Sequence, residues 1–185
     1  MNKKIFTSQD IILLSKAKRQ TVASFLSYNV KKNRIIRLKN GMYGFKENFI
    51  SQYLIANALY RPSYVSFETA MSYYQIIPET VYSMTSVTTK STREFETNNT
   101  LFVYHKIEKE TFIGYILKKI EGEQIYIATP EKALADYCYF IYLHKKKWND
   151  RINLRKINLR KIREYLLCFQ KPNLIINTKK YITNL

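Results

Sequence analysis

Hydrophobic residues near the amino end recur at the spacing of two short α-helices. Thr7 or Ser8 can cap the first helix, in which Ile11, Ile12 and Leu14 are the apolar positions. A basic turn with the sequence SKAKR follows this helix. The pattern therefore predicts a helix, a basic turn and then a second helix.

The second predicted helix begins near Gln20 and has two unlike faces. At 100° per residue, its apolar positions fall on one side and its small polar residues on the other. A helix that only meets solvent more often carries long Glu and Lys side chains on its outer face, so the small polar face indicates a binding surface. The inward positions are Val22, Phe25, Leu26, Asn29 and Val30, and the outward ones are Gln20, Ser24, Ser27 and Lys31.

A β-hairpin is predicted directly after the second helix. Residues 34–38 and 42–45 are β-prone, and the Asn40-Gly41 pair between them readily adopts positive φ. Helix, basic turn, helix and basic hairpin is the order of a winged helix-turn-helix, in which the second helix enters the DNA major groove. A full version has a further helix in front, but only about seven residues are available here. We expect the apolar helical stretch 49–60 to complete the small core instead.

The segment RPSYVSFETAMSYYQIIPE, residues 61–79, is rich in hydroxyl groups but is predicted to be scaffold. Ser66 is placed to cap a helix, with Glu68 in its first turn and Pro78 at the exit. No histidine or cysteine lies nearby in the sequence to activate a hydroxyl group. The predicted core face of this helix is Phe67, Ala70, Met71 and Tyr74.

Beyond this segment the pattern predicts strands and then a long buried helix. Thr129 is the predicted cap of that helix, with Pro130 and Glu131 in its first turn. The sequence INLRK occurs at 152–156 and again at 157–161, predicting basic helix or turn. The predicted strands are 81–89, 93–97, 101–105, 112–120 and 124–128, and the buried helix face holds Leu134, Tyr137, Cys138 and Ile141.

These elements predict an α+β fold: an N-terminal winged helix-turn-helix followed by a mixed domain with an antiparallel sheet and flanking helices. The predicted boundaries are 1–47 for the winged domain and 48–61 for a linker helix. The C-terminal domain then covers 62–185 and ends in a basic helical tail.

The net charge of +17 is concentrated at the two ends of the 185-residue chain. Residues 1–61 hold 12 Lys and Arg against 2 acids, residues 62–144 hold 7 against 10, and residues 145–185 hold 12 against 2. Self-repulsion of this size favours a polyanionic partner, with nucleic acid as the first candidate and an anionic membrane surface as the second. A solvated lysine surface produced by biased codon usage is the alternative.

Other chemistry has little support in the sequence. Cys138 and Cys168 stand alone, and the two histidines show no metal-ligand spacing. No glycine-rich phosphate loop, export signal or membrane span is visible. We therefore predict a cytoplasmic protein that is not an enzyme, needs no cofactor or metal, and does not enter the membrane.

Three central motifs, PSYVSFETAMSYYQIIPE, TSVTTKSTREFET and IATPEKALADY, occur in an order and spacing that resemble the AbiEi family. This family is the antitoxin half of a type IV abortive-infection toxin–antitoxin pair. The resemblance covers nearly the whole chain. It departs from the family pattern at Gln75, where a small turn residue such as glycine is more familiar, and in its short N-terminal domain.

The resemblance implies a winged helix that binds inverted repeats upstream of its own operon and represses it. It also implies a C-terminal antitoxin domain that neutralises a nucleotidyltransferase-like toxin; related antitoxins are thought to act without a stable complex with the toxin, so a tight heterodimer is not assumed. A single-stranded RNA-binding module, whose tyrosines stack on bases, and a non-catalytic protein-interaction scaffold are the alternatives.

The candidate DNA-binding residues follow from the helical wheel together with the resemblance. Gln20 is the best base-reading candidate because its amide group can pair with adenine. The residues predicted to face the major groove are Lys18, Arg19, Gln20, Thr21 and Ser24, and those predicted to contact phosphates are Lys16, Lys31, Arg37, Lys39 and Asn40.

Overall fold

The computed structural model of the protein describes residues 4–155, 157–183 and 185, and the fold is α+β. The described residues form seven α-helices and two sheets. Residues 1–3 of the predicted winged domain, and Lys156 in the first INLRK copy, lie outside the described residues. In chain order the elements are β1 (Ile5–Thr7), α1 (Ser8–Ser15), α2 (Arg19–Lys31), β2 (Ile35–Lys39), β3 (Met42–Phe45), α3 (Gln52–Leu59), β4 (Ser63–Val65), α4 (Phe67–Tyr73), β5 (Ser83–Thr88), β6 (Arg93–Thr97), β7 (Thr100–Lys106), β8 (Tyr115–Ile120), β9 (Glu123–Ala128), α5 (Pro130–Tyr142), α6 (Leu159–Cys168) and α7 (Leu174–Lys179).

The amino-terminal unit is a three-stranded antiparallel sheet covered on one face by α1 and α2. Its strand order is β1-β3-β2. Thr7 caps α1 as predicted, because its hydroxyl oxygen accepts from the Asp10 amide at 3.1 Å and the Asp10 carboxylate accepts from the Thr7 amide at 2.6 Å. Gly41 supplies the predicted positive φ in the hairpin, at +73°. The two helices and the hairpin are thus confirmed, whereas strand β1 was not predicted.

The core of this unit is smaller than the hydrophobic pattern predicts. Val22 and Leu26 are buried against Phe6 and Tyr43, but Phe25 is 55% exposed. The prediction that Phe25 faces inward is therefore wrong. At 100° per residue, Phe25 lies about 60° from Val22 around the helix, and the narrow contact with the sheet does not reach that far.

The second face of the small sheet joins the main core of the protein. Ile5, Leu38 and Ile50 are buried in the same cluster as Ile55 and Leu59 of α3. The expectation that stretch 49–60 completes the small core is wrong, because α3 packs in the larger one. The small sheet is therefore sandwiched between α1 and α2 on one side and α3 on the other.

The large sheet has six strands in the order β6-β7-β5-β4-β9-β8. Pairs β5–β7 and β4–β9 are parallel and the other three pairs are antiparallel. The sheet is thus mixed, and the prediction of an antiparallel sheet is wrong. A hydrophobic pattern indicates that a strand exists, but the direction of its neighbour depends on contacts distant in sequence.

Helices cover both faces of the large sheet. Tyr104 on β7 donates its hydroxyl proton to the Ala56 carbonyl oxygen of α3 at 2.6 Å, and the adjacent His105 packs against Phe140 of α5. Neighbouring residues of a strand point to opposite faces, so α3 and α5 lie on opposite sides. Helices α6 and α7 pack against α5. The carboxyl-terminal tail and the amino-terminal unit therefore lie on different sides of the sheet.

A buried polar cluster connects β4 to α5. Lys132 and Asp136 form an ion pair with 2.6 Å between Nζ and Oδ1, and their side chains are 1% and 0% exposed. Oδ2 of Asp136 accepts from Ser66 Oγ at 2.7 Å and from the Tyr64 hydroxyl at 3.1 Å. Burial raises the pKa of both Asp136 and Tyr64. Ser66 precedes α4 as predicted, but its hydroxyl group binds Asp136 and does not cap the helix.

Helix α4 ends in a left-handed residue. Gln75 has φ +57°, and the Ile76 amide donates to the Met71 carbonyl oxygen at 2.8 Å. This geometry is the usual site for glycine after a helix. Gln75 therefore stands where the backbone itself favours glycine.

Replacing Gln75 by glycine is expected to stabilise the protein by up to about 1 kcal/mol, because a side chain in the left-handed region is strained. Gln75→Ala is the matched control, since alanine keeps the strain and should leave the stability nearly unchanged. Urea denaturation measures both free energies of unfolding. A loss of stability in Gln75→Gly would contradict this account of the helix end.

Removing one partner of the buried ion pair is expected to destabilise the protein by about 3–5 kcal/mol, because the other charge stays buried. Asp136→Asn and Lys132→Met test this by thermal and urea denaturation. The double variant Lys132→Met with Asp136→Asn should recover most of the loss, because it removes both charges and keeps a side-chain oxygen that can accept from Ser66 and Tyr64. Arg151→Gln, which removes a surface ion pair between the exposed Arg151 and the half-buried Glu79, should cost less than about 1 kcal/mol. Equal small effects for all variants would contradict the argument.

Candidate nucleic-acid interface

Nine of the ten predicted DNA-binding side chains are exposed. Lys39 is the exception, being half-buried. The exposed residues divide between α2 with its preceding turn and the β2–β3 hairpin. They are Lys16, Lys18, Arg19, Gln20, Thr21, Ser24, Lys31, Arg37 and Asn40.

Helix α2 presents its small polar residues outward, together with the exposed rings of Phe25 and Tyr28, because a narrow stripe holds it to the sheet. Val22, Leu26 and Asn29 are buried, and the Asn29 side chain donates to the Phe25 carbonyl oxygen at 2.8 Å. Gln20 and Ser24 therefore point outward, as the helical wheel predicts. The helix contains no acidic residue. Its charged residues are Arg19 at the first position and Lys31 at the last, so the outer face is basic at both ends and neutral between them.

The turn before α2 brings basic residues to the amino end of the helix. Lys16 ends α1 in the left-handed region with φ 54°, and Lys18 is the N-cap of α2 without a side-chain capping bond. Arg19 is the first helical residue. Exposed amide groups and a positive dipole end make such a helix start favourable for phosphate.

The hairpin is held differently from the prediction. Arg37 donates from Nη2 to the Asn40 side-chain oxygen at 2.9 Å, and both residues are exposed. Lys39 instead points to the end of α3, where its Nζ donates to the Leu59 carbonyl oxygen. Burial, followed by the nearby charges of Arg93 and Lys90, lowers the pKa of Lys39. In this position Lys39 is a structural contact and only part of its side chain faces solvent.

Three further basic residues extend the surface and were not predicted. Lys32, Arg34 and Lys46 are exposed where α2 ends and the hairpin begins. Lys46 donates to the Asn33 side-chain oxygen at 2.6 Å, and its amide donates to the Arg34 carbonyl oxygen at 3.0 Å. The run KKNR at 31–34 is the sequence signal that could have indicated this end of the surface.

The carboxylates that could suggest an acid–base pair are engaged in ion pairs. Glu68 accepts from Lys146 Nζ at 2.6 Å, and Glu79 lies 3.3 Å from Arg151.

Burial lowers the pKa of His105 to about 4, so its imidazole is neutral at pH 7. Within the described ranges, no group of three or more His, Cys, Asp or Glu residues is arranged to hold a metal ion.

No helix in the part of the chain that the structure describes has the length and apolarity needed to cross a bilayer. Among known proteins, no family model matches the chain, and a search of curated proteins also gave no match.

Proposed function

We propose that the protein is a DNA-binding transcriptional autorepressor and the antitoxin of an abortive-infection operon of the AbiEi type. The observation that carries the DNA-binding part is the acid-free outer face of α2, with basic residues at both ends. Neutralising DNA phosphates is the interaction for which such a surface is best suited.

In this proposal the segment from β1 to β3 is a winged helix-turn-helix, with α2 as the recognition helix. A 13-residue helix is about 20 Å long and fits lengthwise into the major groove. The β2–β3 hairpin is the wing, and Arg37 and Asn40 are its phosphate contacts. Lys39 is not a phosphate contact in this proposal, because it binds the Leu59 carbonyl oxygen. Lys32, Arg34 and Lys46 are further phosphate contacts.

Base reading is assigned to Gln20, with Ser24 one turn further along the same face. An amide side chain bonds the N6 and N7 atoms of adenine in a geometry that the other bases do not match. The basic residues around Gln20 contact phosphates, which give affinity without sequence preference. Loss of a base contact should therefore reduce affinity for one DNA sequence only, whereas loss of a phosphate contact should reduce affinity for every duplex.

The Gln20→Ala variant is expected to weaken binding to a palindromic duplex from upstream of the gene by about 1–3 kcal/mol, with no effect on a scrambled duplex. Lys31→Gln with Arg37→Gln should weaken both duplexes and flatten the slope of log K against log salt by about 1.8. Fluorescence anisotropy at several salt concentrations measures these quantities.

Two variants serve as controls for the DNA experiment. Lys39 lies outside the proposed interface, and Lys39→Met removes its charge but keeps its apolar stem. This variant should leave the slope of log K against log salt unchanged. Lys179→Gln with Lys180→Gln removes exposed charges from the tail, on the other side of the large sheet, and should also leave it unchanged. Preference for single strands over the palindrome, or an unaltered slope in Lys31→Gln with Arg37→Gln, would refute the proposal.

The antitoxin role rests on the family resemblance, with residues 62–185 as the antitoxin domain and 48–61 as the linker. Expression of a nucleotidyltransferase-like protein encoded beside this chain is expected to arrest bacterial growth, and coexpression of this chain to restore it. Lys31→Gln with Arg37→Gln should lose repression but keep the rescue. Continued arrest in the presence of the intact chain would contradict the antitoxin role and leave DNA binding unaffected.

A further inference from the structure

A cavity of about 750 Å3 lies where the amino end of β4 meets strands β8 and β9. We propose that this cavity binds a nucleotide, with the base against its aromatic wall and the phosphate at Arg61. Its size is within the range of small-molecule sites in proteins. The site is separate from α2, so the inference goes beyond DNA binding. The lining residues are Asn57, Arg61, Pro62, Ser63, Phe112, Tyr115, Leu117, Gln124 and Tyr126.

The sheet builds one wall of the cavity from side chains on a single face. Leu117 pairs with Tyr126 across β8 and β9, and alternation places Tyr115 and Gln124 on the same face. Tyr115 meets Tyr126 edge to face at 5.9 Å and stacks at 4.8 Å on Tyr64. The wall is therefore rigid and aromatic, yet Tyr126 is 47% exposed and free to stack on a ligand.

The cavity opens into the sheet because the side chain of Asn57, and not a residue of β4, bonds to the backbone of β9. Its side chain donates to the Tyr126 carbonyl oxygen at 3.2 Å and accepts from the Tyr126 amide at 2.6 Å. Strand β4 pairs with β9 at a single position, Val65 with Ile127. Asn57 thus satisfies the backbone of β9 below that point and leaves a notch in the sheet.

Polar groups in the notch indicate the charge of the ligand. Ser63 is 7% exposed, and its hydroxyl group has no hydrogen-bond partner in the described part of the chain. Arg61 donates from Nε to the Asn57 carbonyl oxygen at 3.1 Å, which fixes the guanidinium group at the rim. Among the residues that the structure describes, those lining the cavity include no Asp or Glu. A buried hydroxyl group and a fixed cation beside aromatic rings match a base that carries a phosphate.

Either a free nucleotide or one nucleotide of a single strand supplies this chemistry, because both expose an unpaired base and a phosphate. A duplex does not, since its bases are stacked and paired. Titration with the four nucleoside monophosphates, with a short single strand and with a duplex distinguishes these sources. Binding is measured by calorimetry at elevated salt, because salt screens the net charge of +17 and so suppresses non-specific binding of anions.

The Arg61→Gln variant is expected to weaken binding of a nucleoside monophosphate about tenfold or more, because a charged hydrogen bond to phosphate is lost. Binding of the matching nucleoside should change little. Tyr126→Leu keeps an apolar side chain but removes the ring, and should weaken both ligands by about fivefold or more.

Gln124→Glu is the variant that avoids a folding defect, because Gln124 is exposed and the change is nearly isosteric. Its carboxylate should repel the phosphate and reduce nucleotide affinity while leaving the nucleoside unaffected. Arg163→Gln, an exposed arginine of α6 outside the cavity, is the matched control and should bind as the unmodified chain does.

Sensitivity to Arg61→Gln and Gln124→Glu supports the site, and the ligand that shows it, free nucleotide or single strand, identifies the source. The proposal is overturned if none of these ligands binds the unmodified chain. It is equally overturned if Gln124→Glu binds as tightly as Arg163→Gln. Either result would leave duplex recognition by α2 untouched.

Discussion

The buried ion pair of Lys132 and Asp136 holds the two halves of the large sheet in place. Strand β4 has three residues and is the link between β6-β7-β5 on one side and β9-β8 on the other. So short a strand has little pairing energy of its own, but Asp136 anchors it to α5 through Tyr64 and Ser66. Isolated buried charges are costly, and here the bonds to the carboxylate offset that cost.

The same anchor fixes the regions on either side of it. Phe67 follows Ser66 with φ +53°, which is unfavourable for an aromatic residue, and its ring is held between His105 and Phe140. In the other direction, Tyr64 stacks on Tyr115 and so sets the aromatic wall of the cavity. A change at Asp136 would therefore reach both the start of α4 and the candidate nucleotide site.

Local patterns predicted individual helices, turns and strands better than the way in which the strands of the large sheet pair. The period of α2, the Asn40-Gly41 turn and the Thr129-Pro130 helix start are decided by neighbours in sequence, and the structure contains each of them. Lys132 and Asp136 have the i, i+4 spacing of an ordinary surface ion pair. Their role in holding the sheet depends on their burial under α6 and against β4, which the local sequence does not indicate. Lys39 was misplaced for the same reason, since Leu59 is twenty residues away.

By charge alone, both basic ends of the chain could belong to one nucleic-acid-binding surface. The fold instead places them on opposite sides of the large sheet. The tail is not an appendage to the proposed DNA-binding surface, because Ile162, Leu166 and Leu174 are buried in the main core. Its helices pack on α5, whereas the amino-terminal unit packs with α3 on the other side of the sheet. A straight duplex along α2 would therefore leave the tail lysines and arginines free. Their charge forms a second basic surface, and DNA bound along α2 as proposed would not offset its repulsion.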